Sequence, residues 1–370
     1  MGSRTGLCSQ AAPGDPAAVP RRASVSTPPR AGLPVRRVLV IAVLAVAMTT
    51  AVLAVPTLGS VRTDLDAING WWAAAAVALE VASCVSFVFV FRAFFESVTP
   101  GVARRVAWVE EGSGALLPGG GITSYAIGGL ILGREGLTVR SIVVRSGGLF
   151  WFTSAVNVLA LVIGTGLLVL SPQPTEPSRL VVLLPLAIAG PVALLIASTP
   201  ALGRAARVNR GRGRSLIDGV AEAWRAAGRR SWRLLGALGY LYFDIAVLAC
   251  LFHGLGYAVP FGALTLGYLV GYCATLIPIP GGIGVLEGGL TGALILYGTP
   301  PAKTVAVVLV YHAIAFWIPS LGGAIGYASL VRLRSQTVRR FDGRVRRHRG
   351  LGSDWSLAGP DPRSSRSRAS

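Results

Sequence analysis

Apolar runs of about twenty residues recur along this 370-residue chain, separated by short polar or arginine-rich segments. Residues 38–58, 72–91, 147–170, 180–201, 234–252 and 304–330 each match the length at which a helix crosses a bilayer. The first is too long, and begins too far into the chain, to be a signal peptide. Trp71 and Trp72 open the second at the position of an interfacial aromatic belt. The third and fourth are joined by the polar turn Ser171-Pro172-Gln173-Pro174-Thr175-Glu176. Two further apolar stretches, 106–132 and 261–299, each contain a Pro/Gly break and so read as hairpins rather than single spans.

The sharper break is Pro278-Ile279-Pro280-Gly281-Gly282-Ile283-Gly284, followed by Val285-Leu286-Glu287. Two prolines and three glycines within seven residues end any helix. In lipid, a broken backbone is tolerated only where protein or a wet cavity surrounds it. Leu117-Pro118 followed by Gly128-Gly129-Leu130 matches Ile277-Pro278 followed by Gly288-Gly289-Leu290 at a constant offset of 160. That pattern suits an inverted repeat. The fold class is therefore an all-α polytopic membrane protein with six full spans and two re-entrant hairpins.

Composition agrees, with 52% hydrophobic and 14% charged residues and a mean hydropathy of +0.61. The net charge of +19 does not point to nucleic acid, because 32 of the 35 basic residues lie in tails and loops between apolar runs. Six arginines fall in the N-terminal tail, three at 92–105, three at 134–145, nine at 204–233 and eleven in the C-terminal tail. The opposite loops hold only Arg62, Arg179 and Lys303. The positive-inside rule then places both termini and 203–233 in the cytoplasm of a plasma-membrane protein. By the same rule the first hairpin enters from the cytoplasmic face. The second, with no basic residue between 254 and 302, enters from the other.

Residues 1–37 and the chain from 332 onward read as disordered basic tails flanking a membrane domain at 38–331. Within 203–233, Ser215-Leu216-Ile217-Asp218 has capping-box spacing. Leu216, Ile217, Val220, Ala223, Trp224 and Ala227 then follow a helical period. Such a helix either lies among headgroups or packs on the protein as a connector. The cysteines, Cys8, Cys84, Cys250 and Cys273, form no CxxC pair, so no zinc site or disulfide framework is indicated. Gly119-Gly120-Gly121 lacks the GK[ST] of a P-loop, and neither HExxH nor GxSxG occurs. The expectation is no enzyme activity and no cofactor.

Intramembrane acids are costly and usually functional. Glu80, Asp244 and Glu287 are the leading candidates, with Glu110-Glu111 before the first break and Arg145 at a membrane boundary. The structural alternative is that Glu80 or Asp244 neutralises an arginine such as Arg92 or Arg145. Pro118, Pro278, Pro280, Gly281, Gly282 and Gly284 belong to the breaks that would line a translocation path. A helix starting near Gly282 would offer free amides to an anionic phosphate. Glu287, in its first turns, would bind a cationic group, pair with Arg145 or carry a proton. Asn157, His253 and His312 are weaker candidates.

The run Pro278-Ile279-Pro280-Gly281-Gly282-Ile283-Gly284-Val285-Leu286-Glu287 resembles the PxPGGxGxxE signature of the lysylphosphatidylglycerol synthase transmembrane-domain family, which is flippase-like. Leu116-Leu117-Pro118-Gly119-Gly120-Gly121 is similar to that family's first break, and the arginine-rich loop at 203–233 to its charged mid-chain loop. The resemblance spans about residues 38–331 and excludes the soluble aminoacyltransferase domain of the synthases. It implies translocation of a membrane lipid with an anionic or glycosylated headgroup, without ATP. The alternatives are a secondary transporter of a small solute, or a scaffold for a cell-envelope enzyme. A homo-oligomer is a further expectation for its partners.

The charge split makes the topology testable. Single cysteines at Ser178 and Ser215 in a cysteine-free background are expected to react with an impermeant maleimide from opposite sides of the membrane. Labelling from the same side overturns the assignment.

Overall fold

The computed structural model describes residues 69–117, 120–170, 214–229, 231–276 and 284–352, with isolated positions between 183 and 198. The expected span at 38–58, Pro118 and the break at 278–282 lie outside the described residues, as does most of 180–201. The described residues form nine α-helices and no strand. In chain order these are α1 (Gly70–Phe94), α2 (Pro100–Leu116), α3 (Gly120–Arg134), α4 (Val139–Leu170), α5 (Arg214–Gly228), α6 (Gly236–Gly254), α7 (Phe261–Tyr272), α8 (Val285–Leu296) and α9 (Pro301–Gly352). A 3-10 turn, Trp232–Leu235, leads into α6, and another, Cys273–Leu276, extends α7. Four of these segments are long and apolar enough to cross a membrane: Gly70–Phe94, Val139–Leu170, Trp232–Gly254 and Pro301–Leu333. The protein is an all-α polytopic membrane protein.

α1 and α6 form the central antiparallel pair. Near one end, Gly236 packs so closely that a Cβ would lie 2.9 Å from Val90 N. Midway, Ser83 Oγ donates to Tyr240 O at 2.8 Å. At the other end Cys250 Sγ meets Trp72 O at 3.3 Å, and the Trp72 and His253 rings stack at 5.9 Å. Asn69 caps α1 by accepting Trp71 N–H at 3.1 Å.

Both hairpins are present. The first is α2 and α3, bent at Leu117–Gly120, and its flanks adjoin Phe94 and Val139. The second is α7 and α8. Its flanks are tied together at the Trp72 end, where Lys303 Nζ donates to Leu255 O at 3.0 Å and Tyr257 OH to Gly298 O at 3.5 Å. The hairpins therefore enter the bundle from opposite ends. In both, the close crossing joins residues 18 positions apart, 110 with 128 and 271 with 289. This shared spacing accompanies the sequence repeat.

Small residues let the first hairpin nest against α9. A Cβ on Gly112 would sit 2.6 Å from Pro319 O and 2.9 Å from Gly323 Cα. One on Gly326 would lie 3.0 Å from Arg105 O. Where apolar contact with lipid is always available, such backbone approach is a main source of helix association. An aromatic and aliphatic cluster around Phe91, Phe94, Phe95, Val106 and Leu132 fills the arginine-rich end. A second, around Leu248, Leu251, Phe252, Leu290 and Tyr311, fills the middle and far end.

Two boundaries differ from the sequence reading. α4 starts at Val139 rather than 147, because Thr138 Oγ1 accepts Ser141 N–H at 3.3 Å and nothing before Gly147 breaks a helix. Arg145 thus lies inside the helix. α9 continues to Gly352 rather than ending at 331. A polar, proline-free sequence rich in arginine can extend a helix already nucleated within the bundle.

If close approach holds α2 to α9, Gly112→Val should lower stability by about 1–3 kcal/mol. Gly292→Val, where a Cβ meets nothing within 4 Å, should have little effect. Detergent melting of the two variants distinguishes them, and equal melting temperatures contradict the packing account.

Candidate functional site

Glu80 lies ten residues from the start of α1 and Asp244 ten from the end of α6. At about 1.5 Å per residue that is about 15 Å from the Trp72 end, near the middle of a hydrocarbon layer about 30 Å thick. The two carboxyl groups lie side by side, close enough to interact. Tyr268 of α7 donates to Asp244 Oδ2, and Tyr311 of α9 lies against the same carboxyl. Cys84, one turn on from Glu80, points its Sγ at Glu80 Oε1 at 3.9 Å. Glu80 and Asp244 are 5% and 8% exposed. Glu80 Oε2 and Asp244 Oδ1 have no partner.

The first hairpin adds two more acids. Glu111 lies beside Tyr240 of α6. Glu110 is 2% exposed, and neither of its carboxyl oxygens has a partner. Its carboxyl rests on Gly128 of α3, where any Cβ would overlap it. Burying a carboxyl without a partner is strongly unfavourable, so a group kept in that condition is a functional candidate. Among the described residues, no Lys, Arg or His forms an ion pair with Glu80, Glu110, Glu111 or Asp244. The alternative in which Glu80 or Asp244 neutralises Arg92 or Arg145 is therefore set aside. Those arginines sit toward the other end of the bundle, where Arg145 donates to Ser97 Oγ at 2.7 Å.

Glu287 stands apart from this cluster and has its own partners. Its Oε1 lies 2.6 Å from His312 Nδ1 of α9. Its Oε2 accepts Gly284 N–H at 2.6 Å. Gly284 has φ 84°, a left-handed conformation that glycine alone adopts freely. α8 starts at Val285 rather than near Gly282, because Gly284 in this conformation is its N-cap. Two expectations are corrected. Glu287 pairs with His312, not Arg145. The first amide at this helix start is already taken by Glu287 and is not free for a phosphate. His312 and Tyr311 are neighbours in sequence, so the Glu287 pair and the Asp244 pair lie at one level of α9.

The structure thus brings Glu80 and Asp244 together, places Glu287 at the same depth on another face, and leaves Arg145 at the arginine-rich end. Of the remaining sequence candidates, Gly284 is the helix cap, while Pro118, Pro278, Pro280, Gly281 and Gly282 lie outside the described residues. The tyrosines were missed. Tyr240 and Asp244 are four apart, as are Tyr268 and Tyr272, and that spacing would have put each pair on one helix face. Among the described residues no three His, Cys, Asp or Glu side chains are grouped to hold a metal ion.

A helical bundle with two oppositely inserted hairpins around buried acids defines the class: a multi-pass membrane protein. The model of the lysylphosphatidylglycerol synthase TM region family matches residues 37–323, and the chain belongs to that family. No curated protein matches the sequence.

The contact between Glu110 and Gly128 can be isolated by a double-mutant cycle. Gly128→Ala should cost about 1–3 kcal/mol of stability. Most of that loss should disappear in the Glu110→Ala background, because the clash then has no partner. Additive effects in melting experiments show that the two residues do not meet.

Proposed function

We propose that this protein moves a membrane lipid between leaflets without ATP, as a flippase-like member of its family in the plasma membrane. It has both termini in the cytoplasm and is not an enzyme. The observation that carries the reading is the group of three buried acids, Glu80, Glu110 and Asp244, with the partly buried Glu111 beside them, none with a basic partner among the described residues. They lie where the two hairpins converge on α1, α6 and α9. A protein that needed only a stable bundle would fill this volume with leucine at lower cost.

The acids are packed closed, with Glu80, Glu110 and Asp244 2–8% exposed. A headgroup does not fit among them, but a proton does. Their role is therefore to take up and release protons as the hairpins move, coupling translocation to proton movement. Tyr268 holds Asp244 in register through a hydrogen bond, and Tyr311 and Tyr240 pack beside the acids. The Glu287–His312 pair fixes the second hairpin to α9. The lipid headgroup, anionic or glycosylated, passes alongside the hairpins with its tails in the surrounding lipid.

Functional acids leave a particular signature. Glu80→Gln and Asp244→Asn remove a buried charge and should leave melting temperature unchanged or raised. Each should reduce translocation of labelled lipid in reconstituted vesicles by about tenfold or more, a barrier change of about 1.4 kcal/mol. Glu287→Gln, which keeps an acceptor for Gly284, should also lose translocation while still inserting. Parallel loss of stability and activity in all three assigns the acids to fold maintenance. Uptake of a water-soluble solute in place of lipid selects the secondary-transporter reading.

A further inference from the structure

Away from the midplane acids, the three internal arginine-rich segments meet. Arg140 of α4 pairs with Asp218 of α5 at 3.1 Å. Arg229, just beyond α5, reaches Glu96 of the α1–α2 loop at 3.4 Å and Glu222 of α5 at 2.7 Å. Glu222 also pairs with Arg225. α5 is clamped onto α4 by glycines: a Cβ on Gly219 would lie 3.2 Å from Gly147 C, and one on Gly148 would lie 3.0 Å from Glu222 Cβ. Of the two sequence readings of this helix, the packed connector is the observed one. Gly219, Val220, Glu222, Ala223 and Ala226 are buried, while Trp224 and Ala227 are exposed rather than part of the apolar face.

Between α4 and α5 an open cavity of about 550 Å³ is lined by Ser141, Val144, Arg145, Glu222, Arg225 and Arg229. Three guanidinium groups face one carboxylate there, and Glu96 at the edge also pairs with Arg229, leaving a local charge of plus one. Glu222 is already engaged by Arg225 and Arg229. Arg145 has a neutral hydroxyl, Ser97 Oγ, as its hydrogen-bond partner, so its charge remains uncompensated.

We infer that this cavity binds the phosphate of an anionic phospholipid headgroup, with Arg145 as its principal ligand. Guanidinium matches phosphate oxygens in a bidentate geometry that a point charge does not provide. The surroundings select a lipid rather than a soluble anion. Val139, Val143 and Phe150 are 76%, 46% and 51% exposed and lie on the face of α4 opposite the cavity-lining Ser141, Val144 and Arg145, so this helix borders acyl chains on one side and the cavity on the other. Trp224 and Trp232 are 50% and 62% exposed, and exposed indoles of this kind sit at the headgroup level. Basic pockets between helices on the positively charged side of a membrane protein characteristically hold acidic lipid. The site is distinct from the acids proposed to carry protons, and its occupancy does not depend on whether the protein translocates lipid.

The test is native mass spectrometry of the full-length protein titrated with phosphatidylglycerol or phosphatidylcholine. The wild type is expected to prefer phosphatidylglycerol. Arg145→Ala should weaken that binding about tenfold, the effect of losing one charge-assisted interaction. Ser141→Glu removes none of the interactions described above and places a carboxylate on the cavity wall, so it should weaken binding similarly. This guards against Arg145→Ala acting through misfolding. Arg134→Ala, at the end of α3 and outside the cavity, should bind as the wild type does. Unchanged phosphatidylglycerol binding in both cavity variants overturns the inference, as does equal binding of phosphatidylcholine by the wild type. Displacement of the lipid by millimolar inorganic phosphate assigns the site to a soluble anion and overturns the lipid assignment.

Discussion

A polar group left without a partner in hydrocarbon costs several kcal/mol, and this constraint governs the architecture. Two hairpins bring chain breaks into the bundle, and a break exposes amides and carbonyls that a continuous helix would satisfy. Such breaks are tolerated in lipid only where protein or a wet cavity surrounds them. α1 and α6 form the central pair, α9 crosses behind both hairpins, and glycines at Gly112, Gly236 and Gly323 allow backbone-to-backbone approach. At the second break the remaining donor is handled locally, by Glu287 accepting Gly284 N–H. The same carboxylate then reaches His312. One side chain thus starts a helix and attaches it to its neighbour.

The same constraint gives the midplane acids their significance. A bundle optimised for stability would satisfy or remove them. Here Glu80 and Asp244 lie side by side, Tyr268 donates to Asp244, and neither carboxyl oxygen of Glu110 has a partner. The tyrosines beside the acids add no cation, so the acids are held in place without being neutralised. A lysine or arginine in their position would lock each carboxylate in its ionised form and prevent it from exchanging a proton. The choice of tyrosine therefore fits the proposed role better than a structural one.

Much of this organisation was legible in the chain because length and charge are conserved through folding in a membrane. The four described spans coincide with apolar runs, and the two Pro/Gly breaks became hairpins, because a bilayer admits few alternatives. The three internal arginine-rich segments predicted to share one side do meet, through Arg140–Asp218 and Arg229–Glu96. The partners of individual acids were not legible. Asp244 and Glu80 are far apart in sequence, and only the antiparallel register of α1 and α6 brings them together. His312 was undervalued because a lone histidine carries no local signal of what faces it. The face of α5 was misread at Trp224 and Ala227, because Glu222, a charged residue, occupies part of its buried side with arginine support.

The two hairpins share a scaffold but not a chemistry, and the difference bears on how they could act. Both cross at residues 18 positions apart. At that crossing the first hairpin places Glu110 against Gly128, whereas the second joins Gly271 to Gly289 with no acid between them. The second hairpin carries its acid at the start of α8 instead, already paired with His312. If the halves exchange roles during transport, the exchange is not symmetric. Moving the first hairpin changes the surroundings of an unpartnered carboxyl. Moving the second breaks a carboxylate–imidazole contact and uncaps a helix. The first is the cheaper motion and the one linked through Glu111 and Tyr240 to the Glu80–Asp244 pair. In the proposed cycle, protonation of the acids therefore acts on the first hairpin, while the Glu287–His312 contact sets the resistance of the second.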